Sequence, residues 1–325
     1  MEAATLAPVQ ALLVIPWFKA EAFQLPLPLP LPILERLRSG PFDADFRWLA
    51  EVPIQPFGLL VMLGVLVGTR VGERFARHEG IDPRWVADFM AHATILGLFI
   101  AAPVLNTVFY HPERILAAIE DPREAGHLMT GISSYGGFIG VIAAGFLWRW
   151  RRKLPLLPMA DIIAFGFPFG WFFGRMGCAV VHDHPGRPSS FFLAIDNYEV
   201  GVPPFVARHD LGLYEVIWSA GVALIFLALV RMKRPRGLFV ALLPMLYGPV
   251  RFLLDFLRTE PNMRGDVRYL GLTPGHYASI AILVASLVML RWVLTHESPA
   301  IPSAMRLPED ARGGTPSRSV AGATA

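Results

Sequence analysis

The chain has 325 residues, 54% of them hydrophobic and only 17% charged, a balance that excludes a soluble globule with an ordinary charged surface. The net charge of +3 and the pI near 9.2 do not point to nucleic acid, because the basic residues stand at the ends of apolar blocks, where lipid headgroups attract them. A single cysteine, Cys178, excludes an intrachain disulfide and any cysteine-built zinc or iron–sulfur site.

Met1 to Pro16 lacks the basic start of a cleaved signal peptide, and the Leu-Pro alternation from Leu25 to Pro32 breaks any helix. Residues 1–55 are therefore expected to form an interfacial, partly extended segment. Apolar blocks follow at Phe57–Phe75, Val86–Tyr110, Ser134–Trp150, Met159–Val181, Leu213–Val230, Leu238–Leu257 and Leu272–Leu294. Each is near the length a helix needs to cross about 30 Å of hydrocarbon. The fold class is all-α: a polytopic membrane domain over 56–296, with seven transmembrane helices.

Arg70, Arg74, Arg77 and Arg84 follow the first block; Arg149, Arg151, Arg152 and Lys153 follow the third; Arg231, Lys233, Arg234 and Arg236 follow the fifth. The connection from His111 to Thr130 is mixed, with Glu113, Glu120, Asp121 and Glu124 against Arg114 and Arg123. The positive-inside rule places the three basic connections in the cytoplasm, the N-terminus outside and the C-terminus inside. Residues 297–325, rich in Pro, Ser, Gly and Ala, read as a disordered cytoplasmic tail.

Glycines recur at four-residue spacing in the first block (Gly64, Gly68, Gly72) and the fourth (Gly166, Gly170, Gly174), a pattern that lets helices pack closely in lipid. Tyr135-Gly136-Gly137 opens the third block, where paired glycines beside a polar aromatic expose backbone to a cavity or ligand.

The strongest chemical signal is Gly174-Arg175-Met176-Gly177-Cys178, followed by His182-Asp183-His184-Pro185-Gly186-Arg187. An arginine deep in a span costs about 2.5–3.5 kcal/mol even on lenient insertion scales, so Arg175 needs an anionic partner or must snorkel to the interface. In the sixth block Tyr247, Arg251, Asp255 and Arg258 share one helix face. An Arg251–Asp255 pair would satisfy itself but leave Arg175 and Arg258 without partners, and a phosphate or another carboxylate would supply them. His209, Tyr214 and Glu215 open the fifth block. His182 and His184 could bind metal, but no third strong ligand stands at a recognisable spacing, so no metal site is expected. As acid–base groups they fit better, since imidazole titrates near neutral pH.

These segments, in order, resemble the prolipoprotein diacylglyceryl transferase family. The resemblance rests on Phe57-Gly58-Leu59, Tyr135-Gly136-Gly137-Phe138-Ile139-Gly140, Gly174-Arg175-Met176-Gly177, Gly186-Arg187, Leu213-Tyr214-Glu215, Tyr247-Gly248-Pro249-Val250-Arg251 and Gly271-Leu272-Thr273. It implies a bacterial inner-membrane enzyme that moves a diacylglyceryl group from phosphatidylglycerol to the lipobox cysteine of a preprolipoprotein, without a cofactor. Its topology, N-terminus out and C-terminus in, agrees with the orientation read from charge. Carried over, Arg175 binds the lipid headgroup and Arg251 sits at the reaction centre. Asp183 takes the place of a family glutamate, Gly186 that of a family glycine, and His209 and Glu215 match a polar stretch. Arg187, Gly136, Gly137, Tyr247 and Arg258 join Arg175 and Glu215 as candidate substrate contacts.

The departures are specific: Tyr135 replaces the family histidine, Cys178 ends a motif whose asparagine is lost, and Phe57 replaces a tyrosine. Tyr135 is a poor base at neutral pH, with an ordinary pKa near 10. His182, His184 or His209 would then supply the base. The competing expectation is a family member without transfer chemistry, which binds phospholipid or uses a different acceptor.

Overall fold

The computed structural model describes residues 15, 16, 19, 21, 23–26, 51–129, 131, 133–199, 205–259 and 268–308. Most of the expected interfacial segment 1–55, and the tail from 309 on, lie outside these residues.

The helices are α1 (Pro56–His78), α2 (Arg84–Ala93), a π-helical stretch (Thr94–Ala101), α3 (Ala102–Tyr110), α4 (Glu113–Glu120), a 3-10 stretch (Pro122–Met129), α5 (Ser134–Arg152), α6 (Leu156–Val181), α7 (Leu211–Leu229), α8 (Leu238–Phe256) and α9 (Pro274–Thr295). Among the described residues, six helical runs are long and apolar enough to cross a membrane: Pro56–His78, Arg84–Val108, Leu156–Val181, Leu211–Leu229, Leu238–Phe256 and Pro274–Thr295. The chain is therefore a multi-pass helical membrane protein. The third apolar block forms α5, which is 19 residues long but ends in Arg149, Arg151 and Arg152 and is not among those six. Exposed Leu66, Phe99, Leu224 and Val288 show the apolar outer faces such helices turn to lipid.

The chain divides into two compact units, with boundaries that fall inside α1, α6, α8 and α9. The first contains residues 1–68, 167–231 and 243–288. It includes a sheet of β3 (Pro185–Pro188), β4 (Ile195–Tyr198) and β5 (Val206–Asp210), with β5 in the middle and both pairings antiparallel. Ile15 adds a parallel bridge to Ile195, and β1 (Phe23–Pro26) pairs antiparallel with β2 (Glu51–Ile54), so these described pieces of the N-terminal segment are extended. Within this unit Gly64 and Gly170 face each other so closely that a Cβ on Gly64 would lie 2.5 Å from the Gly170 carbonyl oxygen. That is the packing role expected of them.

The second unit contains residues 69–166, 232–242 and 289–325. Phe75 and Phe165 stack in its core and Phe239 meets both edge-on, with the Arg234 guanidinium over the Phe75 and Phe239 rings and its Nη2 2.7 Å from Glu79 Oε1. Gly136 lets α5 close on the π-helical stretch, since a Cβ there would lie 2.6 Å from the Ala101 carbonyl oxygen. The space beside Gly137 is open, and Tyr135 lies in the first turn of α5. Residues 299–307, assigned above to a disordered tail, are packed. Met305 is fully buried, its carbonyl accepts from the Asp82 N–H, and the Leu307 N–H donates to the Gly80 carbonyl. Ile301 and Met305 supply apolar anchors that the polar composition of the tail obscures.

Candidate functional site

The first unit gathers its charges at the ends of α6, α7 and α8. Arg175 projects from α6 and is itself buried. Its Nε lies 2.8 Å from Oε2 of Glu215, which is fully buried in the first turns of α7. Trp171, one turn before Arg175, donates its indole N–H to the same oxygen at 3.3 Å, and its ring lies 4.5 Å beneath the guanidinium. Tyr247 donates its hydroxyl to that oxygen at 3.4 Å.

From the other side Arg251 Nη1 stands 3.6 Å from Glu215 Oε1, while its Nη2 lies 2.9 Å from Asp255 Oδ1. Arg258 Nε reaches that same Oδ1, also at 2.9 Å. Tyr247, Arg251 and Asp255 stand on α8 and Arg258 just beyond its end, and the Arg251–Asp255 pair read from the spacing is present. Asp255 also holds Arg258, which the spacing had left without a partner, and Glu215 from α7 is the other carboxylate that answers Arg175. Three guanidiniums thus share two fully buried carboxylates, an excess of one positive charge that a monoanionic phosphodiester could join by charge-assisted bonds.

The chain returns to Arg175 after α6 because His182 takes a left-handed backbone conformation (φ 53°), the reversal that commonly ends a helix. His182 itself turns away into the sheet. Its Nδ1 lies 2.6 Å from Asp210 Oδ2, and Tyr198 donates its hydroxyl to the His182 carbonyl at 2.9 Å. Asp210 also caps α7 by accepting from the Leu213 N–H at 2.9 Å. Burial, and then the Asp210 carboxylate, push the Tyr198 hydroxyl well above its ordinary pKa, so it remains a donor.

His184 comes back instead. Arg175 Nη1 donates to its Nε2 at 3.3 Å, and its Nδ1 is hydrogen-bonded to Asp183. The ring proton therefore sits on Nδ1 facing the carboxylate, and Nε2 keeps a lone pair toward the cluster. Burial raises the Asp183 pKa, but the His184 hydrogen bond and the nearby Arg175 outweigh it and hold the carboxyl below the usual carboxylate range. Cys178, Asp183 and His184 place ligand-type atoms within 4.8 Å of one another, a third ligand that sequence spacing did not show. Arg175 Nη1 stands 3.8 Å from that sulfur as well as against His184, so a cation there would meet a guanidinium.

The remaining candidates fasten the site's frame. His209 shares a 2.6 Å hydrogen bond with the Tyr214 hydroxyl, and burial lowers its pKa. Gly186 lies where a Cβ would meet His209 Cβ at 2.6 Å and the Leu257 carbonyl at 2.9 Å, so only glycine lets this loop lie against the end of α8. Exposed Arg187 continues that join, its N–H donating to the Leu257 carbonyl at 2.8 Å and its Nε to the Arg258 carbonyl at 3.2 Å.

Trp171, Asp210 and His276 were not singled out by the sequence reading. Asp210 had a readable signal, an N-cap residue before an apolar run. Trp171 passes in sequence for one more lipid-facing aromatic.

A family model described as prolipoprotein diacylglyceryl transferase matches residues 46–292. Among curated proteins, the Rhodospirillum rubrum phosphatidylglycerol–prolipoprotein diacylglyceryl transferase is 30% identical over 275 residues, covering 82% of this chain and 93% of its own length. The like-named protein of Chromohalobacter salexigens is 28% identical over 246 residues, covering 75% and 90%. That of Vibrio parahaemolyticus is 30% identical over 252 residues, covering 75% and 88%.

Proposed function

This chain belongs to the prolipoprotein diacylglyceryl transferase family, and from that premise we propose that it transfers the diacylglyceryl group of phosphatidylglycerol to the lipobox cysteine thiol of a preprolipoprotein in the bacterial inner membrane. The observation that carries the reading is the Arg175–Glu215–Arg251 chain, in which one buried carboxylate holds two guanidiniums together. The donor phosphate takes its place between Arg175 and Arg251, with Arg258, Tyr247 and Glu215 around it. The acceptor sulfur attacks the glyceryl carbon, an S–C bond forms, and the C–O bond to phosphate breaks. Glycerol phosphate departs with its charge held by the arginines.

As the donor phosphate takes over the Arg175 N–H that His184 Nε2 accepts, the thiol proton goes to that nitrogen. His184 is chosen over His182 and His209 because Asp183 fixes its tautomer and it stands against Arg175, whereas the other two are engaged by Asp210 and Tyr214. It supplies the base that Tyr135 cannot. Tyr135, Gly136 and Gly137, carried over from the family resemblance, open α5 in the second unit. We further assign α5 as a seventh span, which places the N-terminus outside and the C-terminus in the cytoplasm, in keeping with the basic connections.

Expression in cells depleted of their own transferase, with a reporter lipoprotein, tests the activity. A diacylglyceryl mass increase on the reporter is expected. Good membrane expression without that increase, but with phosphatidylglycerol still bound, would establish the phospholipid-binding alternative instead.

A further inference from the structure

Within the second unit, the turn between α5 and α6 borders a cavity of about 520 Å³, a size usual for small-ligand sites. Arg149, from the last turn of α5, and Lys153, from the turn itself, line it, and no acidic residue shares the lining. Leu156 and Leu157, the first residues of α6, supply apolar surface, and Trp292 of α9 and Pro299 supply more. The walls are held by groups other than the two cations. The Arg236 backbone N–H donates to Ser298 Oγ at 3.0 Å and Arg236 Nη1 to the Pro299 carbonyl at 2.9 Å, which fixes Pro299 in place. Gly237, at a φ of 95°, lets Leu157 and Val293 close in, since a Cβ there would lie 3.1 and 3.0 Å from them.

Arg149 and Lys153 are exposed, and among the described residues neither is ion-paired, unlike Arg152 of the same helix end, which Asp88 holds. Lys153 ends α5 in the left-handed conformation, with φ 55°, a position where glycine is usual and a side chain is strained. A lysine that served only the positive-inside bias or the α5 dipole could stand one residue away, beside Arg151 and Arg152, at no backbone cost. Its place at the strained position points to a partner for its ammonium. Exposed Trp292, and exposed Trp150 beside Arg149 in sequence, are the aromatics of a membrane–water interface. A cavity that is cationic and apolar at such a level matches a phosphate with acyl chains beneath it. We propose that it holds the headgroup of an anionic phospholipid, with the phosphate on Arg149 and Lys153 and the glyceryl end against Leu156, Leu157 and Trp292. This lipid is a bound ligand and not the donor, and none of the donor-site arginines lines its cavity. In the orientation proposed above it belongs to the cytoplasmic leaflet.

The test uses the full chain in phosphatidylcholine nanodiscs that carry a rising fraction of cardiolipin, an anionic phospholipid other than the proposed donor. A ligand that binds only the folded chain raises the thermal midpoint, so wild type should show a saturable rise. Lys153→Gly relieves the backbone and should leave the midpoint in phosphatidylcholine alone unchanged or higher. It should nevertheless need about fivefold more cardiolipin for half of the rise, the worth of one cation at a lipid surface. Arg149→Gln should need a similar excess, while Lys153→Arg should stay within about twofold of wild type. Arg175→Ala, at the donor site, should keep the wild-type response. A wild type without a saturable rise overturns the proposal, as does a Lys153→Gly response equal to that of wild type. So does loss of the response in Arg175→Ala, which would place the cardiolipin at the donor site. Inorganic phosphate that reproduces the rise in phosphatidylcholine alone would replace the lipid with a free anion and overturn it as well.

Discussion

Two regions of the molecule pair arginine with carboxylate, and they do it in opposite ways. In the second unit Asp88 and Glu79 each take one arginine. Asp88 takes Arg152 through two nitrogens, at 2.9 and 2.5 Å, and the Trp148 indole N–H at 2.8 Å completes it; Glu79 takes Arg234, whose guanidinium also lies over two phenylalanine rings. In the first unit Glu215 lies between Arg175 and Arg251, and Asp255 between Arg251 and Arg258. A bidentate pair leaves a ligand nothing to replace, so it ties helices together. A shared carboxylate holds its guanidiniums by single contacts, and a phosphate can enter by displacing those contacts without leaving a charge bare.

The sharpest way to break this contrast is to remove a shared carboxylate. Glu215→Ala leaves two buried guanidiniums without their common partner and should cost about 3–5 kcal/mol of stability, read as a large drop in thermal midpoint in detergent micelles. Glu79→Ala, at a partly exposed pair, should cost about 1 kcal/mol or less. Equal losses would mean that the two kinds of pairing do not differ.

Arginine substitutions divide activity from stability. Arg175→Ala should lower turnover by about 10²–10³, the usual cost of deleting one group that stabilises transition-state charge. Arg152→Ala should lower stability while turnover per folded molecule stays within about twofold, because its bond to Asp88 is structural. A comparable fall in turnover for Arg152→Ala would erase the distinction.

The two histidines that bracket Asp183 make the same comparison on a smaller scale. His184→Ala should reduce kcat by about 10² with the fold intact, as loss of a general base does. His182→Ala removes a buried partner of Asp210 and should instead lower the thermal midpoint. If His182→Ala lost turnover with an unchanged midpoint, the base would have to be reassigned to His182.

The smallest effect belongs to Asp183. Its pKa is depressed in the folded chain, so its stabilising contribution is complete above the ordinary carboxylate range and disappears as pH falls through the lowered value. Wild type should therefore be more stable than Asp183→Asn at neutral pH, and the two midpoints should converge in acid. A gap that stays constant with pH would show that Asp183 does not act through its charge.

Periodicity and composition alone located the helices, because a membrane span must be a continuous run of apolar residues and its polar residues must stand at conspicuous intervals. The same logic drew Tyr247, Arg251, Asp255 and Arg258 onto one face, since helical spacing is local. The charged ends of the apolar blocks gave the orientation proposed above, and the order of short motifs carried the family resemblance. What the chain could not disclose locally is partnership. That Glu215 answers Arg175 from 40 residues away, that Asp255 serves two arginines while Thr273 occupies its other oxygen, and that His184 returns to the cluster while His182 leaves it, all depend on how helices and the sheet meet. The reason is physical: a buried charge takes whichever counter-charge the packing brings within hydrogen-bond distance, and distance in the fold is not legible as distance along the sequence. The sequence by itself determined that this is a helical membrane protein with arginines that must be answered; the tertiary structure decided which groups answer them.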